Sequence, residues 1–412
     1  MRSLVPTGFY EGRKAMDGQA WVRGPVGVDA AKRVTMAGCR SVLVMVPTMT
    51  AGTRLSEVVP LLEADHRIQL IYTVPGAMER WHGLDEYVHG LGAMVLPWGQ
   101  AMRERYDLVL TASHREIEHV RGKVMVLPHG VGNAMSRRYS RKAGGATRAT
   151  TGLDREVLTY RGRVIPSAIM LSHEAELAIL RTRCPEAAHT AVVAGDICLD
   201  RMVASRRFRD GYREALGVRE GECLVTISST WGTESTFGQH FELYQRLSKQ
   251  GCKVAAVLHP NITAAHGRAA VRGWLGDCIR AGLTVIPPDR GWQAAMVASD
   301  LVIGDHGSST MYAAASGTPT IIATDPPPLW PDSPADVLMR NTPRLDHGAK
   351  LWPQLTKAMA EHSGPDAELA RVITGRPGEA AAILRSTMYW LLGLAEPTRA
   401  LPMNPVPVPW TS

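Results

Sequence analysis

The sequence of 412 residues has no apolar run approaching the roughly 20 residues that a bilayer-spanning helix needs. Met1–Arg23 lacks the continuous apolar stretch of a secretory signal, so we expect neither a membrane span nor a signal peptide. The six cysteines are scattered and include no C-x-x-C pair. We therefore expect free thiols in a reducing cytoplasm rather than disulfides. No set of metal ligands occurs at matched spacing, and we predict neither a metal nor a cofactor.

The composition is that of a globular protein, with 45% apolar and 21% charged residues. Lysine and arginine outnumber aspartate and glutamate by 46 to 39, a formal charge of +7. This excess favours anionic partners, although a mildly basic soluble protein would show it too. No basic segment is interleaved with aromatic residues, so we do not expect nucleic-acid binding. The length suffices for two domains.

The chain begins with a β-α-β pattern. A β-branched run over Ser41–Pro47 is followed by helical apolar spacing over Arg54–Ala64 and a second strand over Ile68–Val74. Continuous apolar strands separated by helices are typical of a parallel sheet that is covered on both faces. The pattern predicts further strands at Ala93–Leu96, Leu108–Ala112, Val124–Leu127, Val164–Leu171 and Thr190–Ala194.

A second series follows an arginine-rich helical stretch, Arg201–Arg213. Its predicted strands are Cys223–Ser228, Lys253–Leu258, Leu283–Ile286, Asp300–Ile303 and Thr320–Ala323, and its predicted helices are Gly238–Gln250, Ala264–Arg280, Trp292–Ala298, Ser309–Ala315 and Ala380–Leu394. We therefore predict an α/β protein with two tandem, Rossmann-like, doubly wound parallel sheets facing a cleft. The expected divisions are an irregular arm at 1–33, an acceptor-side domain at 34–200, a donor-binding domain with a closing C-terminal helix at 201–396, and a proline-rich tail at 397–412.

Ligands of open α/β sheets bind beyond the carboxyl ends of the strands. Three polar loops of the second series occupy such positions: Ser228–Thr233, Leu258–Asn261 and Gly304–Thr310. Glycine permits close backbone approach, and hydroxyls and free helix N–H groups donate to phosphate oxygens. Helix capping and serine-rich turns alone would also explain these loops. The predicted donor phosphate-binding residues are Ser229, Thr230, Gly232, Asp305, Gly307, Ser308, Ser309 and Thr310.

Two histidines follow predicted strands and are the predicted catalytic residues. His259 is placed to protonate a departing phosphate, and His129 to remove a proton from an acceptor hydroxyl. The predicted acceptor-side residues are Thr50, Gly52, Arg54 and Gly130. The basic stretch Arg137–Arg148 would attract a phosphorylated or membrane-bound acceptor, or is simply a solvated loop.

The order of these motifs resembles the CDP-glycerol glycerophosphotransferases, which are similar in fold to glycosyltransferase-B (GT-B) proteins. The resemblance rests on His129-Gly130, Gly195-Asp196 with Asp200, His259-Pro260, Asp305-x-x-Ser308-Ser309 before an alanine-rich helix, and Gly317-x-Pro319. It implies His129 as the base, and His259, Ser308 and Ser309 at the donor phosphates. The chain departs from that family at His306-Gly307, where an aromatic residue usually stands, and at Gly232-Thr233-Glu234, where a basic residue is usual. A weaker similarity is to the non-hydrolysing UDP-N-acetylglucosamine 2-epimerases.

We therefore expect a bacterial, cytoplasmic, biosynthetic transferase. It would move a glycerophosphoryl or glycosyl group from a nucleotide-diphosphate donor to a hydroxyl of a soluble or lipid-linked acceptor. A lipid-linked acceptor would require peripheral contact with the inner face of the membrane. A homodimer is compatible with the sequence. Two alternatives stay open: a nucleotide-sugar 2-epimerase or hydrolase, and a nucleotide-binding protein without catalysis.

Overall fold

The computed structural model describes residues 21–27, 30–32, 34–76, 81–132, 139–142, 145–148, 152–248, 250–326, 329–398 and 404–409. Most of the predicted arm at 1–33 lies outside these ranges. So do parts of the basic stretch at 137–148 and of the tail at 397–412.

The first domain contains a seven-stranded sheet. The strands in this part of the chain are β1 (Arg40–Met45), β2 (Ile68–Thr73), β3 (Val95–Leu96), β4 (Arg105–Thr111), β5 (Arg121–Val126), β6 (Tyr139–Lys142), β7 (Gly145–Arg148), β8 (Thr159–Tyr160), β9 (Arg163–Val164), β10 (Pro166–Leu171) and β11 (Ala191–Val193). The sheet order is β11-β10-β5-β4-β1-β2-β3, and every pairing is parallel. The short pairs β6–β7 and β8–β9 are antiparallel hairpins outside this sheet. The predicted strand Val164–Leu171 is therefore divided, because Val164 pairs in a hairpin.

Helices cover both faces of this sheet. They are α1 (Met49–Val58), α2 (Leu84–Gly90), α3 (Trp98–Ala101), α4 (Arg155–Leu158) and α5 (Glu174–Arg183), with short 3-10 turns at Ala30–Lys32, Val59–Leu61, Ile117–His119 and Pro185–Thr190. Helix α1 begins at its cap, Thr48, whose hydroxyl accepts from the Ala51 N–H at 3.1 Å. Strand β1 is apolar and fully buried from Val42 to Met45, as expected of a parallel sheet that is covered on both faces.

The second domain contains a five-stranded parallel sheet in the order β14-β13-β12-β15-β16. Its strands are β12 (Leu224–Ser229), β13 (Lys253–Leu258), β14 (Thr284–Ile286), β15 (Leu301–Gly304) and β16 (Thr320–Ile322). The helices in this part of the chain, including the two at the crossings between the domains, are α6 (Ile197–Ser205), α7 (Arg209–Ala215), α8 (Thr236–Gln239), α9 (Glu242–Leu247), α10 (Pro260–His266), α11 (Arg268–Trp274), α12 (Gly276–Arg280), α13 (Trp292–Ala298), α14 (Ser308–Ser316), α15 (Pro334–Asn341), α16 (Leu351–Ala360), α17 (Ala367–Ile373) and α18 (Ala380–Leu392), with a 3-10 turn at Arg206–Phe208.

Three helical predictions were too long. The stretch predicted as one helix at Ala264–Arg280 is broken at Gly267, whose φ of +81° and ψ of 142° are not helical, and again at Leu275. The helix predicted at Gly238–Gln250 is two short helices, α8 and α9, because His240 leaves the helical conformation. The arginine-rich stretch is interrupted by the 3-10 turn between α6 and α7.

The chain crosses between the two domains twice, and the crossings lie side by side. Helix α6 starts the first crossing, with Ile197 in the core of the first domain and Met202 in that of the second. The second crossing precedes α18. The Asp200 carboxylate joins the two by accepting from the Gly378 N–H at 2.7 Å and the Ala380 N–H at 3.2 Å. The predicted boundary at 200/201 falls inside α6.

Helix α18 follows the second domain in sequence but packs against the first. Leu384, Met388 and Leu392 belong to the same core cluster as Val42 and Leu108 of the first sheet. The described part of the tail also packs on the fold: Val406 is buried, and its carbonyl accepts from the Tyr212 hydroxyl at 3.0 Å.

All six cysteines are free thiols, and three of them are buried. Among the residues that the structure describes, no helix combines the length and apolar character needed to cross a bilayer.

Candidate active site between the two sheets

A cavity of about 760 Å³ lies between the carboxyl edges of the two sheets. The first domain contributes helix α1, which follows β1, and the loops after β4 and β5, and the second domain contributes the loops after β12, β13, β14 and β15. This is where ligands of doubly wound sheets bind, because helix N-termini and loop side chains converge there. The cavity is large enough for a small-molecule ligand.

Asp305, directly after β15, holds two cavity loops together. One carboxylate oxygen accepts from the Thr230 N–H at 2.8 Å, the Thr230 hydroxyl at 2.9 Å and the Thr236 N–H at 3.0 Å. The other accepts from the Gly307 N–H at 3.0 Å. Asp305 is fully buried and lies outside the cavity lining. Asp305 therefore holds the loops after β12 and β15 together from a position outside the cavity lining.

The N-terminus of α14 opens directly into the cavity. Gly307 is its N-cap and makes no side-chain capping bond, and the next two residues, Ser308 and Ser309, line the cavity. The Ser309 hydroxyl lies 2.8 Å from that of Ser228, and the Ser308 hydroxyl accepts from the Val131 N–H of the first domain at 3.2 Å. The first N–H groups of a helix lack intrahelical partners and carry its positive dipole end, which suits an anionic ligand.

His259, directly after β13, is the N-cap of α10. Its Nδ1 accepts from the Asn261 N–H at 3.1 Å, so in the neutral ring the proton resides on Nε2. Burial, and then the nearby His129, lower the pKa of His259 to about 4. His259 is therefore neutral near pH 7 and can donate one hydrogen bond from Nε2.

His129, after β5, faces the cavity from the first domain. Its side chain is exposed to the cavity. Burial, followed by the positive charge of Arg54, lowers its pKa, while a hydrogen bond to the backbone of Ala112 acts in the opposite direction. A hydrogen bond to a carbonyl keeps the proton on one ring nitrogen and leaves the other able to accept one.

His114 is a third cavity-lining histidine, and the sequence analysis missed it. It follows β4, the strand beside that of His129. Burial, and then His129, lower its pKa to about 4, and its Nε2 is buried without a hydrogen-bond partner. Its position two residues beyond the predicted strand Leu108–Ala112 was the available signal.

Arg54, predicted on the acceptor side, lines the cavity but directs its guanidinium into a buried network between the domains. It donates to the Tyr312 hydroxyl at 2.6 Å, the Gly130 carbonyl at 3.1 Å and the Glu57 carboxylate at 3.2 Å. Tyr312 in turn donates to Asp196 at 2.7 Å. Burial acts to lower the pKa of Arg54, but these partners outweigh it and raise the pKa well above its ordinary value. Arg54 is therefore a permanent cation that joins α1 to α14.

The cavity also has an apolar side that the sequence analysis did not anticipate. Ile286 and Pro287, at the end of β14, and Trp292, at the start of α13, line it together with Trp231. Trp231 is 53% exposed, and its ring makes an edge contact with Trp81 of the first domain, with centroids 6.2 Å apart. The cavity thus joins an apolar wall to the polar loops of the same sheet.

Ten of the predicted site residues line the cavity: Thr50, Arg54, His129, Gly130, Ser229, Thr230, His259, Gly307, Ser308 and Ser309. Four do not: Gly52, Gly232, Asp305 and Thr310. Gly52 packs under Tyr87 and Val46, and a Cβ at Gly232 would meet the Glu234 carboxylate. Thr310 is fully buried and donates to the Ser228 hydroxyl at 3.3 Å. The structure places these four residues outside the lining, and their roles in binding stay predictions.

No family model and no curated protein matches the sequence. Solved structures do match the fold. A variant of the wall teichoic acid polymerase TagF soaked with CDPG is 10% identical, with a TM-score of 0.54 over 88% of this chain and 92% of that one. Another TagF structure is 11% identical, with a TM-score of 0.53 over 86% and 89%. A UDP-GlcNAc 2-epimerase from Neisseria meningitidis bound to UDP-GlcNAc gives 14% identity and a TM-score of 0.49 over 85% and 100%.

At 10–11% identity the TagF structures establish the fold alone. That fold is the predicted GT-B type, with two Rossmann-like parallel sheets facing a cleft.

Proposed function

We propose that this protein transfers a glycerophosphoryl or glycosyl group from a nucleotide-diphosphate donor to an acceptor hydroxyl. One observation carries the proposal: a single cavity brings the open N-terminus of α14 and His259 of the second domain opposite His129 of the first. An anion seat facing a neutral imidazole is the arrangement that such a transfer requires.

The donor diphosphate would lie against the N-terminus of α14. Free N–H groups of the first turn and the hydroxyls of Ser308 and Ser309 would donate to its oxygens. His259 would add a hydrogen bond from Nε2, and the anion would raise the pKa of that ring from about 4. The apolar wall at Ile286, Pro287 and Trp292 would contact the nucleoside.

The acceptor would enter from the first domain, with its hydroxyl at His129. His129 takes the hydroxyl proton while the acceptor oxygen forms its new bond. In glycerophosphoryl transfer that bond is to the β-phosphorus, the bond from this phosphorus to the bridging oxygen breaks, and a nucleoside monophosphate leaves. In glycosyl transfer the new bond is to the anomeric carbon, the bond from this carbon to the diphosphate oxygen breaks, and a nucleoside diphosphate leaves. Charge developing on the leaving phosphate is stabilised by the α14 N-terminus and by Nε2–H of His259.

Donor binding is tested first, by thermal stabilisation of the full chain with CDP-, UDP-, GDP- and dTDP-linked donors. A ligand at a hundredfold excess over its dissociation constant stabilises the native state by about 2.7 kcal/mol. Stabilisation by one class of donor, and its loss in Ser308→Ala/Ser309→Ala, supports the diphosphate seat. No stabilisation by any donor contradicts it.

Turnover with the binding donor is then measured for His129→Ala and His259→Ala. We expect each to fall by about 10²-fold or more, because each histidine handles a proton or charge in the transition state. His89→Ala, an exposed histidine outside the cavity lining, is the matched control. Turnover within a few-fold of the parent in both cavity variants would refute these roles. Conversion of donor by the parent without any acceptor would instead favour epimerisation or hydrolysis.

A further inference from the structure

Two histidines and a glutamate meet near the end of β16, outside the cavity lining. His240 lies between α8 and α9, Glu242 begins α9, and His347 lies in the loop before α16. One potential ligand atom from each lies within 4.8 Å of the others. The sequence predicts no metal site, because these residues come from two distant segments without a recognisable ligand spacing.

His347 is already oriented as a metal ligand would be. Its Nε2–H donates to the Ala323 carbonyl at 2.7 Å, which fixes the proton on that nitrogen. Its Nδ1, left with a lone pair, is buried and has no hydrogen-bond partner. Metal-binding histidines usually donate their second nitrogen to a carbonyl or carboxylate in this manner. An unsatisfied buried acceptor costs free energy, which a bound cation would remove.

The other two side chains have matching spacing. His240 Nδ1 and Glu242 Oε1 are 3.3 Å apart. Two ligand atoms about 2.0–2.1 Å from one tetrahedral zinc ion lie about 3.4 Å apart. These two atoms therefore have the spacing of two ligands of one zinc ion.

The two imidazoles are stacked, with ring centroids 3.7 Å apart and an angle of 11° between their planes. A metal ion lies close to the plane of each imidazole that binds it, so parallel rings cannot both bind until one tilts. His347 is tethered to Ala323, whereas the side chains of His240 and Glu242 are 21% and 51% exposed. His240 is thus the ring that would turn.

We propose that His240, Glu242 and His347 bind one divalent transition-metal ion of the zinc class, with water as a fourth ligand. Two imidazoles and one carboxylate suit zinc better than magnesium or calcium, which prefer all-oxygen sites. The ion would join the α8–α9 junction to the loop before α16. This site is independent of the proposed transferase activity.

The test uses the full chain, stripped with a chelator and titrated with Zn²⁺ by calorimetry and with Co²⁺ by visible absorption. The expected result is one ion per chain, a tetrahedral Co²⁺ spectrum and a higher melting temperature with Zn²⁺. His240→Ala and His347→Ala should each weaken binding at least tenfold, because each removes one of three ligands. His266→Ala, an exposed histidine of the same domain, should bind as the parent does.

Glu242→Gln is a further variant for the Zn²⁺ titration. The Glu242 side chain is half exposed, so its replacement leaves the packing intact. Circular dichroism checks that each variant is folded. The proposal is overturned if the parent binds no Zn²⁺ at about 100 μM, which corresponds to a binding free energy of only about 5.5 kcal/mol. It is equally overturned if His347→Ala and Glu242→Gln retain the parent's stoichiometry and affinity.

Discussion

Replacing Asp305 tests whether this carboxylate organises the candidate site or binds the donor itself. Its two oxygens accept from Thr230, Thr236 and Gly307 in a fully buried position. Asparagine has nearly the same shape but only one acceptor oxygen. If that oxygen faces Thr230 and Thr236, the amide NH₂ must face the Gly307 N–H, and two donors oppose each other. The reverse orientation leaves Thr230 and Thr236 unsatisfied.

The size of the effect follows from these bonds. A hydrogen bond to a charged group contributes about 1.5–3 kcal/mol, and an unsatisfied buried donor costs about 1–3 kcal/mol. We therefore expect Asp305→Asn to lower the free energy of unfolding by about 2–3 kcal/mol, and Asp305→Ala by about 4 kcal/mol or more. Asp277→Asn is the matched control, since the Asp277 side chain is 87% exposed and makes only a surface ion pair with Arg280. It should change stability by less than about 0.5 kcal/mol.

The assay is urea unfolding of the full chain, followed by circular dichroism, together with titration of the folded variants with the donor. Loops that lose their common anchor should bind the donor more weakly. If Asp305 instead faced the phosphates directly, removing its negative charge would strengthen donor binding and leave stability nearly unchanged. That pair of results, or equal stability of Asp305→Asn and Asp277→Asn, would refute the anchoring role.

Three further predictions concern the same region. Because the folded pKa of His259 is about 4, the unfolded chain takes up its proton first as the pH falls. The contribution of His259 to the free energy of unfolding is therefore complete above about pH 6.5 and is lost as the pH falls to about 4. His259→Asn should flatten the dependence of the free energy of unfolding on pH between these two values. Gly52→Ala should lower the free energy of unfolding in urea by about 1–3 kcal/mol, because the new Cβ would overlap Tyr87 and lie 2.9 Å from Val46. Its control, Gly90→Ala, has open space around the new Cβ and should be neutral or slightly stabilising. Tyr312→Phe should lower the free energy of unfolding by about 2 kcal/mol, because it removes a hydroxyl that is hydrogen-bonded to both Arg54 and Asp196. Tyr160→Phe, at an exposed position, should leave it unchanged. Equal unfolding midpoints for the two variants would contradict the role of the network.

The strands of both sheets were predictable because they are short apolar runs with turn residues at each end. Strand β13 (Lys253–Leu258) has the predicted bounds, and so does one helix, α13 (Trp292–Ala298). Sequence could not show which sheet α18 covers, because its apolar face is compatible with either core. The interruption at Gly267 was also unpredictable, since the helical spacing continues across a residue whose φ is set by its surroundings.

At the site, residue type and position after a strand predicted the cavity loops but not the direction of each side chain. Ser308 and Ser309 line the cavity while the adjacent Thr310 turns into the core, a difference set by helical geometry around α14. Asp305 was grouped with the phosphate-binding residues because it shares their loop. Its hydrogen-bond partners come from the loop after β12, and only the folded chain brings them together.

The paired crossings at α6 and α18 decide whether the two halves of the molecule can be separated. Two covalent connections join the halves, and the Asp200 carboxylate holds them side by side. For the same reason, the first 200 residues are not a complete folding unit. They lack the helix that covers Val42 and Leu108, and they would expose that apolar surface until residues 380–392 were supplied as a separate peptide.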